Sequence, residues 1–152
     1  MITFQCLSFE QLTVYQLYEL LALRQEVFAV EQNCVYQDCD GVDLKSWHLL
    51  GWNAAGNLFA YARLIPKDIS YPGFSSIGRI VTSPIARGTG VGRLLVQKAI
   101  EENYRLFGAE SIQIGAQSYL LHFYQSFGFS TISESYLEDG IPHIHMVKPK
   151  NH

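Results

Sequence analysis

The residues with the clearest chemical potential form one short segment in the middle of the chain. Residues 87–92 read Arg-Gly-Thr-Gly-Val-Gly, so three glycines alternate behind an arginine. Glycine lets a ligand approach the backbone closely. The unpaired N–H groups at the start of a helix carry partial positive charge and favour phosphate. If a helix begins here, the segment therefore predicts a binding site for a pyrophosphate group.

The residues around the glycines predict the strand and the helix that such a site needs. Residues 77–82 are rich in β-branched side chains and indicate a strand that ends at Ser83-Pro84. Apolar residues then recur at helical spacing from Val91, and Gly108 marks the end of that pattern. The glycines thus lie where a strand passes into a helix. A loop that merely caps this helix is the alternative interpretation without a ligand.

Two other kinds of phosphate site do not match this segment. A nucleotide P-loop ends in Gly-Lys-Ser/Thr, whereas Gly92 is followed by Arg93 and Leu94. A dinucleotide fingerprint reads Gly-x-Gly-x-x-Gly, but the glycines here are spaced Gly-x-Gly-x-Gly. Both nucleotide interpretations therefore fail on spacing.

Two motifs resemble those of one enzyme family. Residues 87–92 fit the Gln/Arg-x-x-Gly-x-Gly/Ala motif of the GNAT N-acetyltransferases, which bind the pyrophosphate of coenzyme A. Residues 124–129 read Tyr-Gln-Ser-Phe-Gly-Phe and resemble the Tyr-x-x-x-Gly-Phe segment of the same family. The two motifs occur in the family's order and at its usual distance, so the chain resembles this family from about residue 46 onwards.

The resemblance implies a cofactor and roles for particular residues. The cofactor is acetyl-CoA, and the strand before the glycines holds its pantetheine arm. The resemblance implies that Tyr124 is the residue that protonates the departing thiolate, and that a backbone N–H near Ile80 or Val81 stabilises the oxyanion. A tyrosine that only packs beneath the cofactor is the alternative role. Gln117 stands where many relatives carry an asparagine. The cofactor-binding residues implied are Ile80, Val81, Thr82, Arg87, Gly88, Thr89, Gly90, Val91, Gly92, Arg93 and Gln117.

Further segments extend the resemblance over nearly the whole chain. Residues 27–32 and 138–143 resemble the ElaA-like acetyltransferases. The acyl-homoserine lactone synthases have segments similar to residues 23–28 and 62–66 and to the aspartates between them. In those enzymes a helix arginine and loop acids form a charged cluster near the substrate. A salt-bridged scaffold is the alternative role for this cluster. The candidate substrate-binding residues are Arg24, Glu31, His48, Arg79 and His143.

The identity of a general base stays open. Residues 75–79 read Ser-Ser-Ile-Gly-Arg and supply no carboxylate where many relatives carry one. His48, Glu31, His143 or a chain of water molecules could accept the proton. An amine that arrives already neutral needs no base.

No metal site is predicted. Residues 38–41 read Asp-Cys-Asp-Gly, which is part of a calcium loop, but the closing position falls on Trp47 instead of a glutamate. His143 and His145 share one face of a predicted strand and could ligate a metal with His48. Two histidines on a surface strand more often have no role in metal binding.

The first helix carries a charge on its apolar face. Thr13 and Gln16 form a capping box at its start. Arg24 interrupts its apolar stripe, and a buried guanidinium needs a partner. The stripe consists of Val14, Leu17, Leu21 and Phe28, and the acids nearby are Glu31, Asp38, Asp40 and Asp43.

The remaining patterns give the fold class. Ser118 is expected to cap a short helix that runs to about residue 126, and Asp139-Gly140 indicates a hairpin. The element order, β-α-β-β-β-α-β-α-β-β, indicates an α/β (α+β) protein with a mixed central sheet and helices on both faces. This is also the order of the GNAT acyl-CoA N-acyltransferase fold, here as a single domain over residues 1–152. Strands are predicted at residues 2–7, 47–52, 58–65, 77–82, 111–116, 129–136 and 141–147.

Composition narrows the classes of function. The 152 residues carry a net charge of -3 and no basic run, which argues against a nucleic-acid partner. No apolar stretch reaches the ~18 residues that a membrane span needs. The N-terminal residues lack the pattern of a signal peptide, and three cysteines indicate free thiols in a reducing cytoplasm.

The sequence therefore predicts a cytoplasmic, acetyl-CoA-dependent N-acetyltransferase that acts on the amine of a small molecule or a peptide. Two alternatives stay open: an acyltransferase that makes a lactone-type signal, and a module that binds acyl-CoA without catalysis. A homodimer is left open as a partner.

Overall fold

The computed structural model describes residues 2–150, so positions 1, 151 and 152 of the predicted domain lie outside the described residues. The first helix continues directly into a π-helix at Gln25–Glu31. The strands are β1 Thr3–Ser8, β2 Trp47–Trp52, β3 Leu58–Ile65, β4 Ser76–Thr82, β5 Ile112–Gln117, β6 Ser130–Thr131, β7 Tyr136–Glu138 and β8 Ile141–Lys148, and the α-helices are α1 Val14–Arg24, α2 Val91–Phe107 and α3 Leu121–Gln125.

The strands form two antiparallel sheets that meet along β4 and β5. The first sheet has the order β1-β2-β3-β4, and in the second sheet β8 pairs with β5, β6 and β7. A parallel bridge between Ser75 and Ile112 joins the sheets where β4 and β5 begin. Beyond this bridge the two strands are not paired with each other within residues 2–150. A cleft therefore opens between their carboxyl ends.

Alternating side chains of β3 bury helices against both faces of the first sheet. Ala60, Ala62 and Leu64 belong to the core that contains α2. Tyr61 belongs to a second core with Leu20 of α1. Because successive side chains of a strand point to opposite faces, one strand supports both layers. The predicted fold class, α+β with helices on both faces of the strand layer, is confirmed; the strands are arranged as two antiparallel sheets joined by the parallel bridge.

Several local predictions are also confirmed by the structure. The side chain of Thr13 accepts a hydrogen bond from the backbone N–H of Gln16 at 3.1 Å, and the Gln16 side-chain oxygen accepts one from the backbone N–H of Thr13 at 2.9 Å. Gly108 ends α2 with a positive φ of 92°. Asp139 and Gly140 both have positive φ, which a two-residue hairpin turn of this type requires.

Three local predictions were wrong. The strand expected at 129–136 is broken, because the Ser133 hydroxyl accepts the N–H of His145 in place of a ladder hydrogen bond. Ser118 does not cap α3, whose N-cap is Leu120. Val14 is 75% exposed and does not belong to the buried stripe. The other three residues of the predicted stripe, Leu17, Leu21 and Phe28, are partly buried against the second core.

No helix described in residues 2–150 combines the length and the apolar character needed to cross a bilayer.

Candidate active site

A cleft of about 860 Å³ opens between β4 and β5. One wall is Ile80–Thr82 at the end of β4, and the other is residues 114–117 of β5. The start of α2 and the aromatic residues of α3 line one end of the cleft. Residues of the π-helix also line the cleft. The segments that carry the two sequence motifs therefore open onto one cavity.

The glycine segment forms an open cradle at the start of α2. Gly88 and Gly90 have φ of 78° and 81°, and Gly90 is the N-cap of the helix. This left-handed backbone is unstrained in glycine and costly in other residues. A Cβ added at Gly88, Gly90 or Gly92 would meet no other atom within 4 Å. The backbone thus borders empty space at a helix N-terminus, which suits the pyrophosphate of a cofactor.

The residues beside the glycines anchor the cradle. Val91 is buried in the core against the sheet, and the Thr89 hydroxyl donates a hydrogen bond to the carbonyl of Ala86. The guanidinium of Arg93 lies 4.7 Å from the ring of Phe127 and donates a 2.9 Å hydrogen bond to Ser126. Arg93 therefore ties α2 to the end of α3.

A β-bulge interrupts β4 beside the cleft. Tyr61 of β3 lies opposite Val81, whereas Arg63 lies opposite Gly78, so β4 carries one extra residue here. Arg79, within the bulge, has a positive φ of 49°. A bulge leaves backbone groups of the extra residue outside the ladder. Backbone groups next to Ile80 are thus available to a ligand in the cleft.

Tyr124 lies on α3 and lines the same cleft. Only 5% of the residue is exposed. Burial raises the pKa of its hydroxyl well above the usual value of 10.0, so the group keeps its proton at neutral pH. Phe123 and Phe129 hold the ring in edge-on contact, with ring centroids at 5.3 Å and 6.1 Å. A protonated, fixed hydroxyl in a cleft is suited to donate a proton.

Gln117 lies at the end of β5, where the side chain reaches across to the π-helix. Gln32 donates a 3.2 Å hydrogen bond to the Gln117 amide oxygen. This contact connects β5 of the second sheet to the end of the π-helix.

An arginine–aspartate cluster lies beneath one side of the cleft. It consists of Arg24, Arg63, Arg79, Asp38, Asp40 and Asp43. Arg24 pairs with Asp38 at 2.9 Å and with Asp43 at 2.7 Å, and Arg63 pairs with Asp40 at 2.9 Å. Arg79 pairs with Asp38 at 2.9 Å. Three positive and three negative charges cancel, so the aspartates considered for a calcium loop are neutralised by arginines.

Two of the candidate substrate residues do not line the cleft. Arg24 and His48 are both completely buried. The ring nitrogens of His48 form hydrogen bonds with the Tyr61 hydroxyl at 2.6 Å and with the Asp43 carbonyl at 3.0 Å. Burial lowers the pKa of His48, which keeps the ring neutral. Their positions favour the scaffold role over contact with a substrate.

Glu31 and Arg87 form an ion pair at the mouth of the cleft. The Arg87 Nη1 and Nη2 atoms lie 2.9 Å and 2.7 Å from the two carboxylate oxygens of Glu31. Both side chains are more than 40% exposed. The arginine of the glycine motif is thus held by an acid of the π-helix, 56 residues earlier in the chain.

His143 lies on β8 and lines the cleft, with 7% of the residue exposed. Its strand neighbours are Gln117 of β5 and Tyr136 of β7. Directly opposed residues of antiparallel strands share a face of the sheet. Tyr136, His143 and Gln117 therefore form a row that leads towards the cleft.

Sequence patterns did not single out every residue of the site. Tyr71 and Glu138 line the cleft, and Tyr36 donates a 2.8 Å hydrogen bond to Asp38 while lying against Arg79. Tyr36 and Tyr71 occupy irregular segments, so no periodicity marked them. The only signal for Tyr71 is the neighbouring Pro-Gly turn.

Comparison with known proteins places this architecture among acyltransferases. The sequence model of the acetyltransferase (GNAT) domain matches residues 18–150. Protein ElaA of Escherichia coli is 46% identical over 150 residues, 97% of each chain, and its crystal structure matches with a TM-score of 0.89 over 97% of this chain and 99% of that one. An acyl-CoA N-acyltransferase from Pseudomonas aeruginosa is 41% identical, with a TM-score of 0.91 and the same coverage. A UPF0039 protein of Synechocystis is 44% identical over 139 residues, 91% of this chain and 90% of that protein.

Proposed function

The chain belongs to the GNAT acetyltransferase family, and on this basis we propose that it transfers an acetyl group from acetyl-CoA to the amine of a small molecule or a peptide. The observation that carries the proposal is the shared cleft. The open glycine cradle borders one end of it, and Tyr124 lines it with the hydroxyl protonated.

Acetyl-CoA supplies the activated acyl group. The protein therefore has to bind acetyl-CoA, align the thioester with the acceptor amine and stabilise the charge that develops in the transition state. The backbone N–H groups of residues 88–92, at the start of α2, hold the pyrophosphate. The β4 bulge presents a backbone N–H near Ile80 or Val81 to the carbonyl oxygen. As the amine nitrogen bonds to the acyl carbon and the C–S bond breaks, Tyr124 would give its proton to the departing CoA thiolate, and solvent would return a proton to the phenolate.

The charge around the cleft favours a cationic acceptor. Glu138 and Asp139 line the cleft, and within residues 2–150 neither carboxylate has an arginine or lysine partner. The arginines that line the cleft, Arg63, Arg79 and Arg87, are each paired with an acid. The unbalanced charge is thus negative, as an ammonium group requires.

A thiol-release assay with acetyl-CoA tests the proposal. The panel contains polyamines, amino acids, aminoglycosides and peptides, and calorimetry measures the affinity for acetyl-CoA in parallel. We expect tight cofactor binding and thiol release with at least one primary amine. Binding without turnover on the whole panel would instead indicate a module that senses acyl-CoA, and no binding would refute the proposal.

A further inference from the structure

We propose that His143 is the general base of this site, and that its Nε2 atom takes the proton of the acceptor ammonium. This inference rests on the proposed function. It is carried by the position of the ring in the cleft, by the hydrogen bond of its other nitrogen, and by the carboxylate that faces Nε2.

The hydrogen bond of Nδ1 determines which nitrogen is free to act. Nδ1 lies 2.7 Å from the backbone carbonyl oxygen of Ile141. A carbonyl oxygen only accepts hydrogen bonds, so the neutral ring carries its proton on Nδ1. Nε2 is then left with a lone pair. The strand itself thus prepares the ring as a proton acceptor, because Ile141 and His143 are two residues apart on β8.

A carboxylate lies where the protonated ring needs one. The Glu138 Oε2 atom is 3.4 Å from Nε2 of His143. In the neutral state this pair makes no hydrogen bond, since both atoms are acceptors. Once Nε2 gains a proton, the pair becomes an ion pair and stabilises the imidazolium. Glu138 therefore acts as a positioning residue that favours the product of the proton transfer.

Two uncharged side chains adjoin the ring. Tyr136 of β7 lies against it with ring centroids 5.9 Å apart, and Gln117 is its neighbour on β5. Tyr71, from the loop before β4, contacts the next histidine of the strand, His145, and not His143. Glu138 is thus the charged group that faces Nε2 among the described residues.

The other candidate bases are already occupied. His48 uses both ring nitrogens in the core, and Glu31 is held by two hydrogen bonds from Arg87. Among the three side chains that the sequence offered, His143 is the one that lines the cleft without being held in an ion pair by an arginine.

The step is a single proton transfer. One N–H bond of the acceptor ammonium breaks, and its electron pair stays on the amine nitrogen as the nucleophilic lone pair. The proton bonds to the lone pair of Nε2, and the imidazolium later releases it to solvent. The ring is neutral again after each turnover.

Nitrogen-15 NMR of the wild-type protein tests the prepared tautomer without any turnover. In His143 we expect a protonated Nδ1 and an unprotonated Nε2 in the neutral ring. Assignment of the His143 signals comes from their loss in His143→Gln. A neutral ring protonated at Nε2 would overturn the proposal.

The kinetic test uses the amine of the panel that releases thiol fastest. In His143→Gln, kcat/KM should fall by about 10²-fold or more at neutral pH. The deficit should narrow towards alkaline pH, where the amine arrives neutral. His122→Gln is the matched control, because His122 is exposed on α3 and does not line the cleft.

The outcomes separate the two proposals. A deficit of equal size at every pH, or none, would overturn the role of His143 and leave the proposed function intact. No thiol release by the wild-type protein with any amine would overturn both. The melting temperature and the acetyl-CoA affinity of His143→Gln should match those of the wild type. If that variant does not fold, the kinetics of His143→Asn and the tautomer observed by NMR test the role of His143 instead.

Discussion

Arg24 and Asp43 face each other in the interior through two hydrogen bonds, from Nη1 to Oδ1 at 2.7 Å and from Nη2 to Oδ2 at 3.2 Å. The guanidinium also donates from Nε to Asp38 at 2.9 Å. The arginine is completely buried. The pair joins the end of the first helix to the 3-10 helix at Val42–Lys45 that precedes β2.

Removing this arginine should strongly destabilise the protein. In Arg24→Ala, Asp38 and Asp43 each lose one of two arginine partners in the interior, which leaves the cluster with an uncompensated buried negative charge. The free energy of unfolding should therefore fall by about 3 kcal/mol or more. Denaturant titration measures it. Arg105→Ala is the control, since Arg105 is 58% exposed and its pair with Glu102 should contribute less than about 1 kcal/mol. Equal effects of the two substitutions would contradict the buried role of Arg24.

The pH dependence of stability should show two steps on acidification. Burial lowers the pKa of His48 below 6.5, so the unfolded state binds a proton first and stability falls as the pH drops below that value. Burial alone would raise the pKa of Asp43, but hydrogen bonds from Arg24 lower it below 3.8. Stability should therefore fall again below pH 3.8. Unfolding measured across pH in His48→Gln should lose the first step only; a first step that persists would contradict the assignment.

A charged side chain in the cradle should abolish cofactor binding. In Gly90→Glu the carboxylate enters the space beside the helix start and repels phosphate, so acetyl-CoA should not bind in calorimetry. Gly56→Glu is the matched control, because Gly56 also has a positive φ, of 83°, and open space but lies in the turn after β2. Both variants carry the same backbone strain. Wild-type affinity in a folded Gly90→Glu variant would contradict the cradle.

The ion pair at the mouth of the cleft should compete with the cofactor. If Arg87 contacts a phosphate, it must leave Glu31, so Glu31→Gln should bind acetyl-CoA about two- to fivefold more tightly. The difference should shrink at high salt, because the pair is exposed. Glu102→Gln, which frees an arginine outside the cleft, should leave the affinity unchanged. Weaker binding in Glu31→Gln would mean that the acid holds Arg87 in its binding position.

Tyr124→Phe separates an enzyme from a binding module. The substitution keeps the ring and removes only the hydroxyl, so kcat should fall by about 10²-fold while acetyl-CoA affinity stays the same. Tyr18→Phe, on the exposed side of α1, is the control. Full turnover in Tyr124→Phe would make solvent the proton donor. A parallel loss of affinity and rate would instead assign the hydroxyl to cofactor positioning.

Short-range features of this protein follow from the sequence because neighbouring residues decide them. The capping box of Thr13 and the end of α2 at Gly108 depend on backbone conformation and hydrogen bonds within one turn. The hairpin at Asp139-Gly140 depends on residues that tolerate positive φ. The same holds for the glycine segment, where β4, a loop and the start of α2 follow one another between residues 76 and 91. Local patterns also predicted that Arg24 needs an acidic partner.

Tertiary structure decided which partners meet. Asp38 and Asp43 reach Arg24 from 14 and 19 residues away, and the conformation of the irregular loop between them has no periodic signal. The π-helix brings Glu31 to Arg87. The strand expected at 129–136 breaks because a side-chain hydroxyl takes the place of a backbone partner. Which acid or hydroxyl pairs with a given group depends on how distant segments pack against each other. The local sequence around each of these acids or hydroxyls does not distinguish them, so the pairing is determined only in the folded chain.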